Sequence, residues 1–297
     1  MYNHIGGSAG KVKLQSFDSL FGSSPVAEEG NQVILVPLTD LHTFAHHPFR
    51  VMDDEKMEEL KQSVLKHGVL VPGVVRKRIT GGYELIAGHR RKRASELAGL
   101  SEMPVIVRNY TEDEATIVMV DSNIQREDIL PSEKAKAYKM KFDALKHQGK
   151  RAEGTTIEKI GEAAGESGKT VQRYICLARL TDELLELVDK KQLSFLCGVD
   201  LSYLSVEQQQ WVYAVICSQN LRISGKQSER LKIHAQSGTL TQDRLQQILL
   251  EVKKEKPKSR KVTIPVERLN QYFPPNFNEE EIEMVIYELL EQWKNNV

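Results

Sequence analysis

Cysteine is scarce in this sequence: Cys176, Cys197 and Cys217 are three among 297 residues. An odd number at wide spacing excludes a disulfide framework and a Cys-x-x-Cys metal site, so a reducing cytoplasm is the expected compartment. Long apolar runs are missing as well. Stretches such as "WVYAVIC" at 211–217 fall far short of the roughly 20 residues a spanning helix needs, and the first residues carry no apolar signal core. Neither a membrane segment nor export is predicted. Net charge is lacking too, since 41 Lys and Arg balance 41 Asp and Glu, which leaves any polyanion site to local patches. What is present, 40% hydrophobic residues, suffices for two or three small domains with cores of their own. Internal repeats are absent.

Residues 1–32 are rich in Gly and Ser and read as a flexible tail, with "KLQSFDSLFG" placing Leu14, Phe17, Leu20 and Phe21 on one face of a short sticky helix. After the linker "GSSPVAEEGNQ", "VILVPL" predicts a strand and "DDEKMEELKQSVLKHG" an amphipathic helix, with Met57, Leu60 and Val64 inward and Gly68 as its C-cap. "VPGVVRKR" and "YELIAG" read as strands, followed by a helix from about residue 90 and the strand "MPVIVRNY". That alternation predicts a small α/β domain over 33–110. From Thr111 strands vanish. Thr111 and Glu114 form a capping box, Pro131 opens a long helix, and 111–250 reads as an all-helical domain. "KKEKPKSR" is a charged linker. Residues 258–297 then offer one strand, "KVTIPV", and one helix capped by Asn278 and Glu281, bearing Ile282, Val285, Ile286, Leu289, Leu290 and Trp293. A unit of this size rarely buries enough surface alone, so the stripe is expected either to pair with a second copy or to pack back onto the helical domain. The fold class is α+β and multidomain.

Three stretches carry chemistry. "ELIAGHRRKRA" places Arg90, Arg91, Lys92 and Arg93 in the first turn of a helix after a strand and a glycine. A helix N-terminus is already positive, so each added cation costs on the order of 0.3–1 kcal/mol unless something negative binds. Gly88 lets the backbone approach a ligand, and Arg90 or Arg91 can fork onto phosphate oxygens; the alternative is a solvated basic face. "DSNIQREDILPSEKA" brings Asn123, Gln125 and Arg126 to a helix end, where Asn can ligate a hard cation and Arg a phosphate, or where they form a polar inter-helix turn. In "TIEKIGEAAGESGKTVQRYICLARL", Thr155 and Glu158 cap one helix, Gly165 turns the chain and Ser167 caps a second. Over 156–180 this is a helix-turn-helix pattern, which would present Ser167, Lys169, Thr170, Gln172 and Arg173 to a major groove, Gln suiting adenine and Arg guanine or phosphate. An ordinary helical corner is the alternative.

Taken together, these stretches resemble a ParB-type partition protein, the centromere-binding component of plasmid and chromosome segregation systems. "AGHRRKRA" is similar to that family's G-E-R-R-x-R-A box and "DSNIQRED" to its E-N-x-Q-R-x-x-L box; both precede the helix-turn-helix in the family's order, and the resemblance spans most of 33–240. It implies a ParB/sulfiredoxin-like N-terminal domain that binds CTP with magnesium, closing two protomers into a clamp on double-stranded DNA at a palindromic site. By position, Gly88, Arg90 and Arg91 would cradle the triphosphate beside His89, Ser122 and Arg126, Asn123 would help hold the metal, and Pro72 would border the base. "FDSLFG" resembles the tail that engages a ParA-type ATPase, here with Lys13, Leu14, Phe17, Leu20 and Phe21, and with Gln15 at the usual arginine position. Two glutamates of the family boxes are His89 and Ser122 here. The resemblance therefore carries binding further than turnover, leaving at most a weak CTPase with no catalytic residue assigned. A nucleoid-associated, cytoplasmic homodimer is implied. Two other readings stand beside it: a ParB-like transcription or nucleoid-occlusion regulator, and an ATP-dependent phosphotransferase of sulfiredoxin-like fold, whose chemistry needs a cysteine by the phosphate box.

Overall fold

Val33–Pro37 forms the first strand, β1, of the computed structural model, which describes residues 32–126, 128–148, 156–251 and 263–295. Four more strands follow: β2 (Leu41–Thr43), β3 (Gly73–Lys77), β4 (Tyr83–Ala87) and β5 (Glu102–Val107). They make one sheet in the order β1-β5-β3-β4-β2. β1 pairs antiparallel with β5, Val33 opposite Ile106, and β3 pairs antiparallel with β4, Lys77 opposite Tyr83; β3–β5 and β2–β4 are parallel. Parallel neighbours need long connections, which run through α1 (Glu55–His67) and α2 (His89–Leu97). The side chain of Asp54 starts α1 by accepting from the Met57 N–H at 2.9 Å, and Gly68 ends it at φ 70°. The short edge strand β2 was not legible in the sequence.

Beyond the sheet, the regular structure of the described residues through Leu250 is helical. α3 (Glu112–Asp121) begins at the Thr111–Glu114 capping box and α4 (Pro131–His147) at its proline. Next come α5 (Thr156–Ala164), α6 (Gly168–Leu177), α7 (Asp182–Asp189), α8 (Phe195–Leu201), α9 (Val206–Gln219), α10 (Gly225–Gln236) and α11 (Gln242–Leu250). Successive residues of a strand face opposite sides, and β4 uses both. Leu85 packs with Val75, Met103 and Val105, whereas Ile86 joins Phe44 and Phe49 in a core shared with Met119, Tyr138, Ile160, Val171 and Ile175. Sheet and first helices are thus one apolar body, each such fully buried side chain contributing roughly 1.5–3 kcal/mol. A second core, including Leu184, Leu201, Val212, Leu231 and Ile248, holds α7 to α11 together.

Residues 251–297 form a separate unit with a short helix, α12 (Val266–Leu269), and a long one, α13 (Glu279–Asn295). Asn278 and Glu281 cap α13 reciprocally, each backbone N–H donating to the other's side chain at 2.9 Å. Of the strand expected at "KVTIPV", Lys261 and Val262 lie outside the described residues, while Thr263–Pro265 carry no regular structure and Val266 opens α12. A strand needs a neighbour to receive its hydrogen bonds, and Pro265 has no N–H to give one. The tail helix with Lys13, Leu14, Phe17, Leu20 and Phe21, the cap Thr155, and the linker "KKEKPKSR" lie outside the described residues. No helix among the described residues is long and apolar enough to cross a membrane.

Candidate functional site

The basic turn that opens α2 is neutralised more than its sequence suggests. Arg90 donates to Asp54 at 3.0 Å, Arg93 to Asp53 at 2.6 Å, and Lys92 lies 3.3 Å from Glu96. Three of the four cations that were expected to call for an anion therefore have carboxylates within the chain. Arg91 differs. Its guanidinium donates to the carbonyls of Val71 and Pro72, both at 2.6 Å, burial pulls its pKa down, and no acidic group pairs with it among the described residues. Gly88 precedes this turn at φ 115°, where a Cβ would stand 3.3 Å from the Gly73 backbone and 3.4 Å from the Arg91 guanidinium. The glycine is needed for both conformation and space.

Two other segments close on this turn. At the end of α3, the Ser122 hydroxyl donates to the Met119 carbonyl at 3.0 Å; the Asn123 amide donates to the same carbonyl at 2.9 Å and to Ser122 Oγ at 3.1 Å. Asn123 Oδ1 is left as an acceptor. Arg126 follows without an ion pair among the described residues. From the other side comes the loop after β2, where His46 turns the chain at φ 56° and His47 and Arg50 reach inward. The result is a cleft of about 150 Å³ whose lining includes Arg50, Arg90, Arg91 and Arg126, His47 and His89, Gly88, Ser122 and Asn123, with no carboxylate among the described residues that line it. Seven of the eight residues singled out for nucleotide binding meet here. Pro72 stands behind Arg91 rather than in the lining.

The two histidines are stacked, ring centroids 3.9 Å apart at 45°. Burial, then the neighbouring His47, Lys92 and Arg91, push the His89 pKa down to about 3. Burial also lowers that of His47, against a hydrogen bond from its Nδ1 to the Phe49 carbonyl. Both rings are neutral at ordinary pH, so the positive field of the cleft is that of its arginines. Arg50 also ties the cleft to the helices: its N–H donates to Glu133 at 2.9 Å, and its guanidinium lies 3.9 Å from Asp189, which caps the start of α4 through the Ser132 N–H and hydroxyl at 3.0 and 2.6 Å.

The ParB N-terminal domain matches residues 22–124. A probable chromosome 1-partitioning protein ParB of Deinococcus radiodurans is 34% identical over 210 residues, 70% of this chain and 69% of that protein. This chain belongs to the ParB family. A family relative named as a nucleoid occlusion protein, from Listeria innocua, is 32% identical over 65% of this chain and 68% of its own length. Two solved structures of C-terminally truncated ParB from Caulobacter crescentus are also similar. The one complexed to the centromeric parS site is 24% identical, covering 68% of this chain and 100% of that one with a TM-score of 0.42; the one complexed with CTP-gamma-S is 26% identical, covering 63% and 99% with a TM-score of 0.30.

The second candidate surface of this ParB chain is the α5–turn–α6 unit. Gly161 lets it close: a Cβ there would meet the Glu166 carbonyl at 2.5 Å. Gly165 turns the chain at φ 71°, and Glu166 is fixed by the Tyr138 hydroxyl at 3.0 Å and by Lys134. Ser167 is occupied as a cap, accepting from the Thr170 N–H at 3.2 Å with its hydroxyl 2.8 Å from Thr170 Oγ1. Val171 and Ile175 face the core. Lys169 and Gln172 are exposed and Arg173 half-exposed on the other face, neither cation in an ion pair among the described residues. Sequence reasoning missed His47 and Arg50. A readable signal existed in "FAHHPFR", a polar turn held between two phenylalanines that both enter the core.

Proposed function

We propose that this chain is a nucleotide-gated, DNA-binding partition protein: the cleft takes CTP, and the α5–turn–α6 unit reads a palindromic centromere-like site as a homodimer. The observation that carries the reading is the cleft itself, four arginines around a helix N-terminus with no carboxylate among its described lining residues, which suits a polyphosphate. The family resemblance supports CTP as the nucleotide and DNA as the partner. The donor set fits a magnesium ion that arrives on the phosphates, Asn123 Oδ1 being the oxygen this chain would add, because magnesium is commonly held by substrate phosphates and water. The tail would engage a ParA-type ATPase. Arg50 links the cleft through Glu133 and Asp189 to α4, which packs against α6, a physical route by which nucleotide could bias the DNA-reading unit.

Arg126 is the cleaner probe of the cleft, since Arg91 also satisfies two carbonyls and its loss would cost fold stability. Arg126→Ala should weaken fluorescent-CTP binding about tenfold or more with melting unchanged. Unchanged affinity would remove the cleft assignment. A nucleoid-occlusion regulator remains the second reading, favoured by a relative of nearly equal identity so named; a ParA-type ATPase encoded beside this chain would decide for partition. The phosphotransferase reading loses its support, because no cysteine lines the cleft.

A further inference from the structure

The arginines of the cleft only donate hydrogen bonds. Two atoms run against that pattern: Nε2 of His47 and Nε2 of His89 are buried with no hydrogen-bond partner. For His47 the tautomer is fixed, because Nδ1 lies 2.8 Å from the Phe49 carbonyl, which can only accept. Nδ1 therefore holds the proton and Nε2 presents a lone pair. A left-handed turn at His46 and the buried side chain of Phe49 set the ring's position, and His89 packs against its face at 3.9 Å. Burial keeps the ring neutral, so the lone pair persists at ordinary pH. A chain of ionised phosphates carries acceptors only and would leave this lone pair unpaired in a closed cleft.

We propose that His47 contacts the bound ligand, its Nε2 accepting a hydrogen bond from an O–H group that accompanies the phosphates: a sugar hydroxyl of a ribonucleotide, or a water held at the terminal phosphate. The proposal rests on the nucleotide reading above. In the water case the chemistry balances. The water oxygen attacks the terminal phosphorus, its proton passes to His47 Nε2, and the bond to the bridging oxygen breaks, giving a nucleoside diphosphate and inorganic phosphate. The histidine would then do at this position what a carboxylate acceptor does elsewhere.

The test uses the full chain and two variants. His47→Asn keeps a donor near Nδ1 and removes the acceptor at Nε2, whereas His47→Gln restores an acceptor there. Calorimetry with CTP, its 2′-deoxy and 3′-deoxy analogues and inorganic tripolyphosphate would be combined with phosphate release from CTP. His47→Asn should lose about tenfold in CTP affinity or in phosphate release, and Gln should recover part of the loss; with a sugar hydroxyl as donor, tripolyphosphate should bind all three chains alike. A sugar hydroxyl as donor predicts that the parent discriminates about tenfold against one deoxy analogue and that His47→Asn does not. Water as donor predicts no such discrimination. Parental affinity and phosphate release in His47→Asn would overturn the proposal, and an equal loss of tripolyphosphate binding would overturn its sugar-hydroxyl form. A parent that binds tripolyphosphate but not CTP removes the nucleotide reading and this proposal with it; CTP binding and phosphate release both indifferent to His47 remove this proposal alone.

Discussion

His89 shows how one residue can be read in two ways. As a letter in a motif it marks a missing glutamate; in the structure it is a half-buried neutral imidazole packed against His47 at a tilt. The neutral form has a consequence for stability. With a folded pKa near 3 against 6.5 unfolded, the unfolded chain binds the extra proton first as pH falls, so stability present above pH 6.5 is lost progressively down toward pH 3. Each unit of that window is worth about 1.4 kcal/mol. Denaturant melts between pH 7 and pH 5 should lose on the order of 2 kcal/mol from this residue, and His89→Gln should flatten the slope. An equal slope in the variant would show that the ring is hydrated and titrates freely. A bound polyphosphate would oppose the loss, since negative charge favours the imidazolium.

Glycines 161 and 165 show how an element is fixed by two different constraints. Gly165 has open space around it but a left-handed φ of 71°, so the position needs a residue that tolerates that conformation. Gly161 is in ordinary helical backbone but has no room for a Cβ, with the Glu166 carbonyl 2.5 Å from where it would stand. Gly161→Ala should therefore cost about 1–3 kcal/mol through displacement of the turn, whereas Gly165→Asn should be nearly neutral. Thermal melts would rank them. Specific DNA binding, measured below the melting range, should fall for Gly161→Ala and persist for Gly165→Asn; the reverse order would mean that the turn adjusts around a methyl group. Periodicity located this pair of helices, but only the packed turn shows which glycine is steric and which conformational.

At the scale of the whole molecule, α13 carries an exposed apolar stripe with Trp293 67% exposed and no buried residue within its own unit. If that stripe joins two copies, a chain ending at Leu250 should sediment as a monomer at micromolar concentration without nucleotide while the full chain is a dimer; a truncated chain that stays dimeric would place the interface elsewhere. The sequence alone determined what depends on neighbours a few residues away: four of the five sheet strands, the capping boxes at Thr111 and Asn278, the helix stop at Gly68, the start at Pro131, and the strand–glycine–arginine turn at 84–93. These are written in side chains that act on their own backbone within one turn. Tertiary structure decided what depends on segments far apart. It set Asp53 and Asp54 against Arg93 and Arg90, and brought the loop of His47 and Arg50 over the turn at Gly88 and the end of α3. Residues some 40 to 80 positions apart meet only once the cores have formed, and periodicity holds no record of which surfaces will face each other.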